Sequence, residues 1–499
     1  MASSPSATST PPASTTSPTA SAAATAPVPA GFAPLSASFV SPLDAFVLGE
    51  EPCGASTCTA LAATNDSGWS WHALAPPPSP LRDLTAVRFA SRTIGYAYGP
   101  HLLDVTSDGG RTWAAAPYPG QGSGATLVQL AASAGDVVAL TSAGGSATVS
   151  RSAIGRPAWS AIPGGSAPAP GNPSSLSMGI NGGAGYLLSG TTLVGGAVTG
   201  TWTSAPAPCP TGLDATQKVA VASNGAVDVA CSGPGQGGQY RKEVLTTYEF
   251  GAAFGPANGT ASNAPAAGAV QFIDAGGPTT LAVTSATTSV FLLNGQAWDQ
   301  VFGPAGAGQP VADFGFTNNF QGLLILGNPS GATGPGDGLY LTADAGETWR
   351  LVDFTATALP GPCSAGNLTL KPGSTMFGLG NTAFSLYFET TGAPCSLHGY
   401  PGVTAEGSGN RPLATATRSP TSYMVQPHPD VPVVVSPGHP ATFYISDTDN
   451  PAGGATSCPT TTRLVVFPPG ATATVSVTTQ LSLCSLPPVV SPVFPGRQH

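Results

Sequence analysis

The chain has 499 residues, of which only 8% are charged, against roughly a quarter in an average globular protein, and it is rich in Gly (65) and Pro (52). Its 15 basic and 24 acidic side chains give a formal charge of −9. No basic cluster occurs, which excludes phosphate backbones and anionic membranes as partners, because both require concentrated positive charge. No run of about 18 apolar residues is available to span a bilayer, and the length exceeds what one compact core usually serves.

In chain order, residues 2–30 come first and are almost wholly Ser, Thr, Pro and Ala. That composition cannot bury a core, so residues 1–34 are expected to form a disordered stalk. Met1 is not followed by basic residues and an apolar stretch, so no signal peptide is expected in the chain as given. The stalk has the composition of a segment that follows a removed export signal or anchor. The cysteines point the same way: Cys53, Cys58, Cys209, Cys231, Cys363, Cys395, Cys458 and Cys484 are even in number and fall as sequential neighbours. No Cys-x-x-Cys is present, and His72, His101, His398, His428, His439 and His499 lie outside any zinc spacing. Disulfides are therefore expected rather than a metal site, with the pairing open at this point, and with them an extracellular or cell-envelope location.

A repeat organises the next 320 residues or so. A large aromatic recurs at Trp71, Trp113, Trp159, Trp202, Phe254, Trp298 and Trp349, at spacings of 42 to 52 residues. This period fits one four-stranded propeller blade per unit. Short β-branched or aromatic runs punctuated by Gly and Asn precede each aromatic, as in Ala86 to Tyr98, and read as strands and tight turns.

The best-formed units end in Thr106-Ser-Asp-Gly-Gly-Arg-Thr-Trp113 and Thr342-Ala-Asp-Ala-Gly-Glu-Thr-Trp349, with Asn65-Asp66-Ser67-Gly68-Trp69-Ser70-Trp71 a partial copy. These resemble the Asp-box hairpin of sialidase-like propellers (BNR repeats). The resemblance implies a structural turn at Thr106, Asp108, Gly110 and Trp113, and again at Thr342, Asp344, Gly346 and Trp349. In each, the carboxylate would accept backbone N–H bonds, the glycine would be left-handed and the Trp would pack between blades. Residues 35–354 are thus expected to form a seven-bladed β-propeller.

A sialidase would need three converging arginines, a Tyr activated by a Glu, and an acid. The Phe/Tyr-Arg-Ile-Pro segment that the resemblance implies for the first arginine is absent. The region holds only Arg82, Arg88, Arg92, Arg111, Arg151, Arg156, Arg241 and Arg350, and two of these belong to the Asp turns. The single charged cluster, Arg241 to Glu249, reads as a solvated third strand of the fifth blade rather than a site built from Glu243, Tyr248 and Glu249. No nucleophile elbow or phosphate loop occurs, and Asp447-Thr-Asp449 reads as a turn rather than a calcium loop. No catalytic residue, cofactor site or metal site is expected.

Residues 355–362 read as a linker, and alternating strands follow from Cys363. Several short strands with Pro-Gly turns over residues 363–499 suggest a disulfide-stapled β-sandwich. The segment Pro394-Cys-Ser-Leu-His-Gly-Tyr-Pro-Gly-Val403, with Cys363 before it and Cys458 and Cys484 after it, resembles the domain of unknown function 4232 of exported actinobacterial proteins. Glu389-Thr-Thr-Gly392 departs from the family's Asn-x-Gly turn. The resemblance implies the pairs Cys363 with Cys395 and Cys458 with Cys484 and names no activity. Tyr400 and Pro401 are expected to plug the end of the sandwich.

The whole reads as an all-β, non-enzymatic, exported or cell-surface protein that binds a glycan or an envelope protein. A sialidase-like glycosidase and an assembly factor for an envelope complex are the alternatives. Its charge-poor surface is expected to depend little on salt or pH, and a sharp loss of folding near pH 4 would count against that expectation.

Overall fold

The computed structural model describes residues 26–496 apart from 134, 172–174, 235–239, 250–251, 258–267, 278–279, 286–288, 296, 304–308, 328–335 and 452–455. The fold is all-β, with helix confined to single 3-10 turns among the described residues. The residues expected to form the stalk lie outside the described residues up to position 25.

From Ala26 to Leu351 the described strands form seven consecutive antiparallel sheets, each laid out in chain order except that Ala26–Pro27 lies at the outer edge of the first sheet. The second sheet shows how one sequence unit becomes four strands. Ala86–Phe89, Gly95–Gly99, Leu102–Thr106 and Ala114–Ala115 pair in succession, with each short apolar run ending at a turn. The first strands of the sheets are Ala33–Phe39, Ala86–Phe89, Thr126–Ser133, Leu176–Asn181, Thr216–Val221, Val270–Gly277 and Val311–Phe316. Each lies against the first strand of the next sheet, and Val311–Phe316 returns to Ala33–Phe39, so the sheets close a ring, a β-propeller.

Side-chain alternation builds the seams of this ring. In the fifth sheet, Val227, Val229, Cys231 and Leu245 pack towards Tyr186, Leu188 and Leu193 of the fourth. Ala230 and Val244, one position out of phase, pack towards Val270 and Val283 of the sixth. Strands covered on both faces read as near-continuous apolar runs, which is why Val227 to Cys231 shows no polar alternation apart from Asp228.

Closure depends on residues outside the expected boundaries. Val28, 5% exposed, joins Val47, Ala62 and Trp71 of the first sheet and Leu323, Ile325, Leu339 and Val352 around the seventh. Phe32 meets Phe354 edge to face at 4.7 Å, and Trp71 lies 5.0 Å from the same ring. Ala26–Pro27 pairs with His72–Leu74 as a fifth, outer strand of the first sheet. Among the described residues the ring therefore includes Ala26 to Pro34, which lie ahead of the expected start at 35. Averaging the composition of the stalk conceals the two apolar residues, Val28 and Phe32, that have a surface to cover.

The linker leads into two larger sheets and a two-stranded one, Cys395–Leu397 with Val433–Val435. One of the larger sheets holds Thr369–Gly378, Asn381–Glu389, Ala441–Thr448, Val489–Val490 and Thr417–Arg418, and the other holds Pro412–Thr415, Gly402–Glu406, Arg463–Phe467 and Val475–Val477. Leu386, Phe388, Phe443 and Ile445 from the first share one core with Val403, Ala405, Leu464 and Val466 from the second. Disulfides join Cys53 to Cys58, Cys209 to Cys231, Cys363 to Cys395 and Cys458 to Cys484. The first staples a hairpin, and the second ties the chain entering the fifth sheet to its buried second strand.

Candidate functional site

Three turns share one hydrogen-bond pattern. In the second sheet, Asp108 Oδ1 accepts from the backbone N–H groups of Arg111 (3.0 Å) and Thr112 (2.9 Å), while Oδ2 accepts from the Thr112 hydroxyl (2.6 Å). The Thr106 hydroxyl donates to Asp108 (2.9 Å) and accepts from Gly110 N–H (2.9 Å). Asp344 repeats this with Thr342, Gly346 and Thr348. So does Asp66 with Thr64, Gly68, Trp69 and Ser70, which makes the partial copy complete once Thr64 and Ser70 are counted. Two consecutive left-handed residues shape each turn: Gly109 and Gly110, Ala345 and Gly346, Ser67 and Gly68. Hydroxyl and backbone donors from Thr112 hold the Asp108 carboxyl down to about 2. Trp113 packs edge to face on Phe89, and Trp349 sits among Phe302, Phe314 and Phe316.

The ring encloses a cavity of about 1120 Å³ along its axis, lined by all seven innermost strands. Side chains stitch these strands together across the seams. Ser38 Oγ accepts from Phe89 N–H (2.8 Å), and Gln129 exchanges two bonds with the Met178 backbone (2.8 and 3.1 Å). Ser177 Oγ accepts from Val219 N–H (3.0 Å), Asn181 donates to Val221 O (3.0 Å), and Gln271 donates to Val311 O (2.7 Å). First strands have no partner strand on their inner edge, so these bonds satisfy backbone groups that would otherwise face the cavity.

The charges in the wall divide into two regions. Asp313 accepts from the Ser36 hydroxyl (2.7 Å), Ala37 N–H (3.0 Å), Phe314 N–H (3.1 Å) and both terminal nitrogens of Arg88 (3.3 Å each). This one carboxylate therefore joins the first, second and seventh sheets. Burial opposes the charge on Arg88, but Asp313, Tyr98 and Asp274 together hold its pKa above the ordinary value. Asp274 accepts from Phe316 N–H (2.5 Å), and burial in the wall pushes its carboxyl up to about 6. On Thr216–Val221, the innermost strand of the fifth sheet, Lys218 is half-buried, and that burial lowers its pKa.

One end of the cavity is stoppered. Pro427, His428 and Pro429, from the C-terminal sheets, line it beside Thr317, Asn318, Asn319 and Phe320, the turn where the last innermost strand ends. His428, 7% exposed, is stacked between Phe320 (4.0 Å) and Phe494 (3.7 Å). Its Nδ1 is buried without a hydrogen-bond partner, and burial pushes its pKa down to about 3. Asn319 donates to Gln426 (3.0 Å), Trp69 Nε1 donates to Pro432 O (3.3 Å), and Arg350 lies 3.8 Å above the Trp69 ring. The Asp turns of the first and seventh sheets therefore face the C-terminal sheets at this end.

The residues singled out in the sequence do not converge. Of the eight arginines only Arg88 lines the cavity; Arg92 pairs with Asp44, Arg151 with Asp136, and Arg111 bonds its own turn. Glu243 lies on a third strand, Tyr248 is 75% exposed, and Glu249 N–H donates to Thr247 in a turn. Asp447 caps Thr448 and Ser485 N–H groups, and Asp449 bonds Asn450. Tyr400 is half-buried beside buried Pro401. Among the described residues no group of three His, Cys, Asp or Glu side chains could hold a metal, and no helix is long and apolar enough to cross a membrane. The sequence reading passed over Lys218, Asp274, Asp313 and His428. The available signal was a charged residue in the opening strand of a repeat, in a chain almost without charges.

Residues 363–493 match the family model of a domain of unknown function, DUF4232. The match covers the C-terminal sheets and agrees with the Cys-Ser-Leu-His-Gly-Tyr-Pro-Gly-Val resemblance. No curated protein matches the chain. Similar solved structures include YCF48 bound to D1 peptide, 16% identical over 63% of this chain and 94% of that one, with a TM-score of 0.42. YCF48 from Cyanidioschyzon merolae is 14% identical over 60% and 92%, with a TM-score of 0.37. An ancestral GH74 enzyme is 12% identical over 92% of this chain and 64% of that one, with a TM-score of 0.45. At such identities and scores these neighbours decide neither activity nor partner.

Proposed function

We propose that the chain is an exported, non-catalytic binding protein: a seven-bladed propeller of Asp-box type whose axial cavity receives part of a protein or glycan, carried with a DUF4232 β-sandwich that seals the far end. The observation that carries this reading is the cavity itself, ringed by seven strands and stoppered at one end by His428. Loops from many blades converge on a rigid mouth, an arrangement suited to recognition. Four disulfides suit an oxidising location outside the cell.

The carboxylates in the wall favour binding over hydrolysis. A glycosidase needs one free carboxylate and one acid flanking the bond. Asp274 has the raised pKa of an acid, but both Asp313 oxygens are committed to Ser36, Ala37, Phe314 and Arg88. The test is capture of glycans on an array and of envelope proteins from an extract by the full oxidised chain, alongside Ala132→Trp, which fills the cavity wall. Capture that Ala132→Trp abolishes supports the reading. Turnover of aryl glycosides that Asp274→Asn abolishes would replace it with an enzyme.

A further inference from the structure

The innermost strands contain two basic side chains, Arg88 and Lys218. Arg88 is neutralised by Asp313 at 3.3 Å. Lys218 is not: among the described residues no carboxylate or hydrogen-bond acceptor reaches its ammonium, although it lines the same cavity and is half-buried. An ammonium withdrawn from water without a partner is unfavourable, and a polar side chain would fill the position without that penalty. The wall mixes polar and apolar surface; Ile180 and Phe272, on the innermost strands of the flanking fourth and sixth sheets, are half-buried apolar side chains that line it. The Ser177 hydroxyl, which accepts from Val219 N–H, keeps its own proton available on the adjoining strand.

We propose that Lys218 is the anchor of an anion subsite in the channel, and that the ligand is an apolar or aromatic body bearing one negatively charged group, a carboxylate or its like. The charged group meets the ammonium and the body lies against the half-buried side chains of Ile180 and Phe272. This assignment rests on reading the channel as the binding site. Entry is from the mouth where the innermost strands begin, near Ser36, Thr85 and Leu176, because Pro427 to Pro429 occupy the other end. The charge pattern also gives selectivity: Asp274 and the Arg88–Asp313 pair sit on the sixth, second and seventh strands and leave the fifth as the single electropositive side of the wall.

The test uses the full oxidised chain and two probes of matched shape: 8-anilinonaphthalene-1-sulfonate, which is anionic, and N-phenyl-1-naphthylamine, which is neutral. Fluorescence titration of the wild type is expected to show one saturable site that prefers the anion. Lys218→Met is expected to weaken the anion roughly tenfold, the equivalent of one charge-assisted hydrogen bond, and to leave the neutral probe unchanged. Lys218→Arg should retain the preference, which separates loss of charge from loss of fold. Equal affinity of wild type and Lys218→Met for the anionic probe, or no saturable anion binding at all, overturns the proposal. If Ala132→Trp blocks capture of a macromolecular target while Lys218→Met leaves the anionic probe untouched, the channel remains the binding site and only the anion subsite falls.

Discussion

At the scale of single residues, the Asp turns and the cavity carboxylates obey opposite rules. Asp108 is ionised more easily in the folded chain than in a free peptide, because its oxygens accept four hydrogen bonds. A depressed folded pKa means the contribution is present above about pH 4 and is lost as pH falls towards 2. The difference in melting temperature between wild type and Asp108→Asn should therefore shrink over that interval. Asp274 has the reverse sign: its raised pKa means stability declines as pH climbs from about 4 through 6. Asp274→Asn should melt higher than wild type at pH 7.5 and no differently at pH 4; a lower melting point at pH 7.5 would show that the charge is stabilising. Backbone strain gives a third expectation. Ala345 is left-handed (φ 63°) where the second sheet places Gly109 (φ 74°), so Ala345→Gly should stabilise by about 1 kcal/mol in thermal or urea unfolding.

At the scale of elements, the repeat was legible because each unit ends in a large aromatic and three of them in a turn with few permitted residues. Trp71, Trp113 and Trp349 mark positions that packing between sheets requires, so their period survives where the strands themselves drift. The cavity was not legible, since its wall is assembled from short stretches of seven separate strands and the partners Asp313 and Ser36 lie 277 positions apart. Nothing in a local window joins them. The edge at Val28 was missed because burial there depends on a seventh sheet more than 280 residues later. Loop size ranks the disulfides: in the chain-entropy account the bridge across 5 residues stabilises by about 2 kcal/mol and the one across 32 by nearly 4 kcal/mol. Denaturant midpoints should accordingly fall further for Cys363→Ser with Cys395→Ser than for Cys53→Ser with Cys58→Ser.

At the scale of the molecule, the contact between the C-terminal region and the ring includes one buried imidazole. His428 contributes stability that is full above about pH 6.5 and lost as pH falls towards 3, since a base whose folded pKa is depressed resists protonation. The charge-poor surface suggests indifference to acid; the seam beneath it does not share that property. His428→Phe preserves the stack between Phe320 and Phe494 and removes the titration, so it should lose less melting temperature than wild type between pH 7 and pH 4. An equal loss would place the acid sensitivity elsewhere. The most direct test of the central claim, that the stoppered channel is where this chain holds its ligand, is a crystal structure of the full chain with 8-anilinonaphthalene-1-sulfonate. The account predicts the probe inside the ring with its sulfonate beside Lys218 and Pro427 to Pro429 closing the far end; a probe seated on the outer surface, with the ring empty, would contradict it.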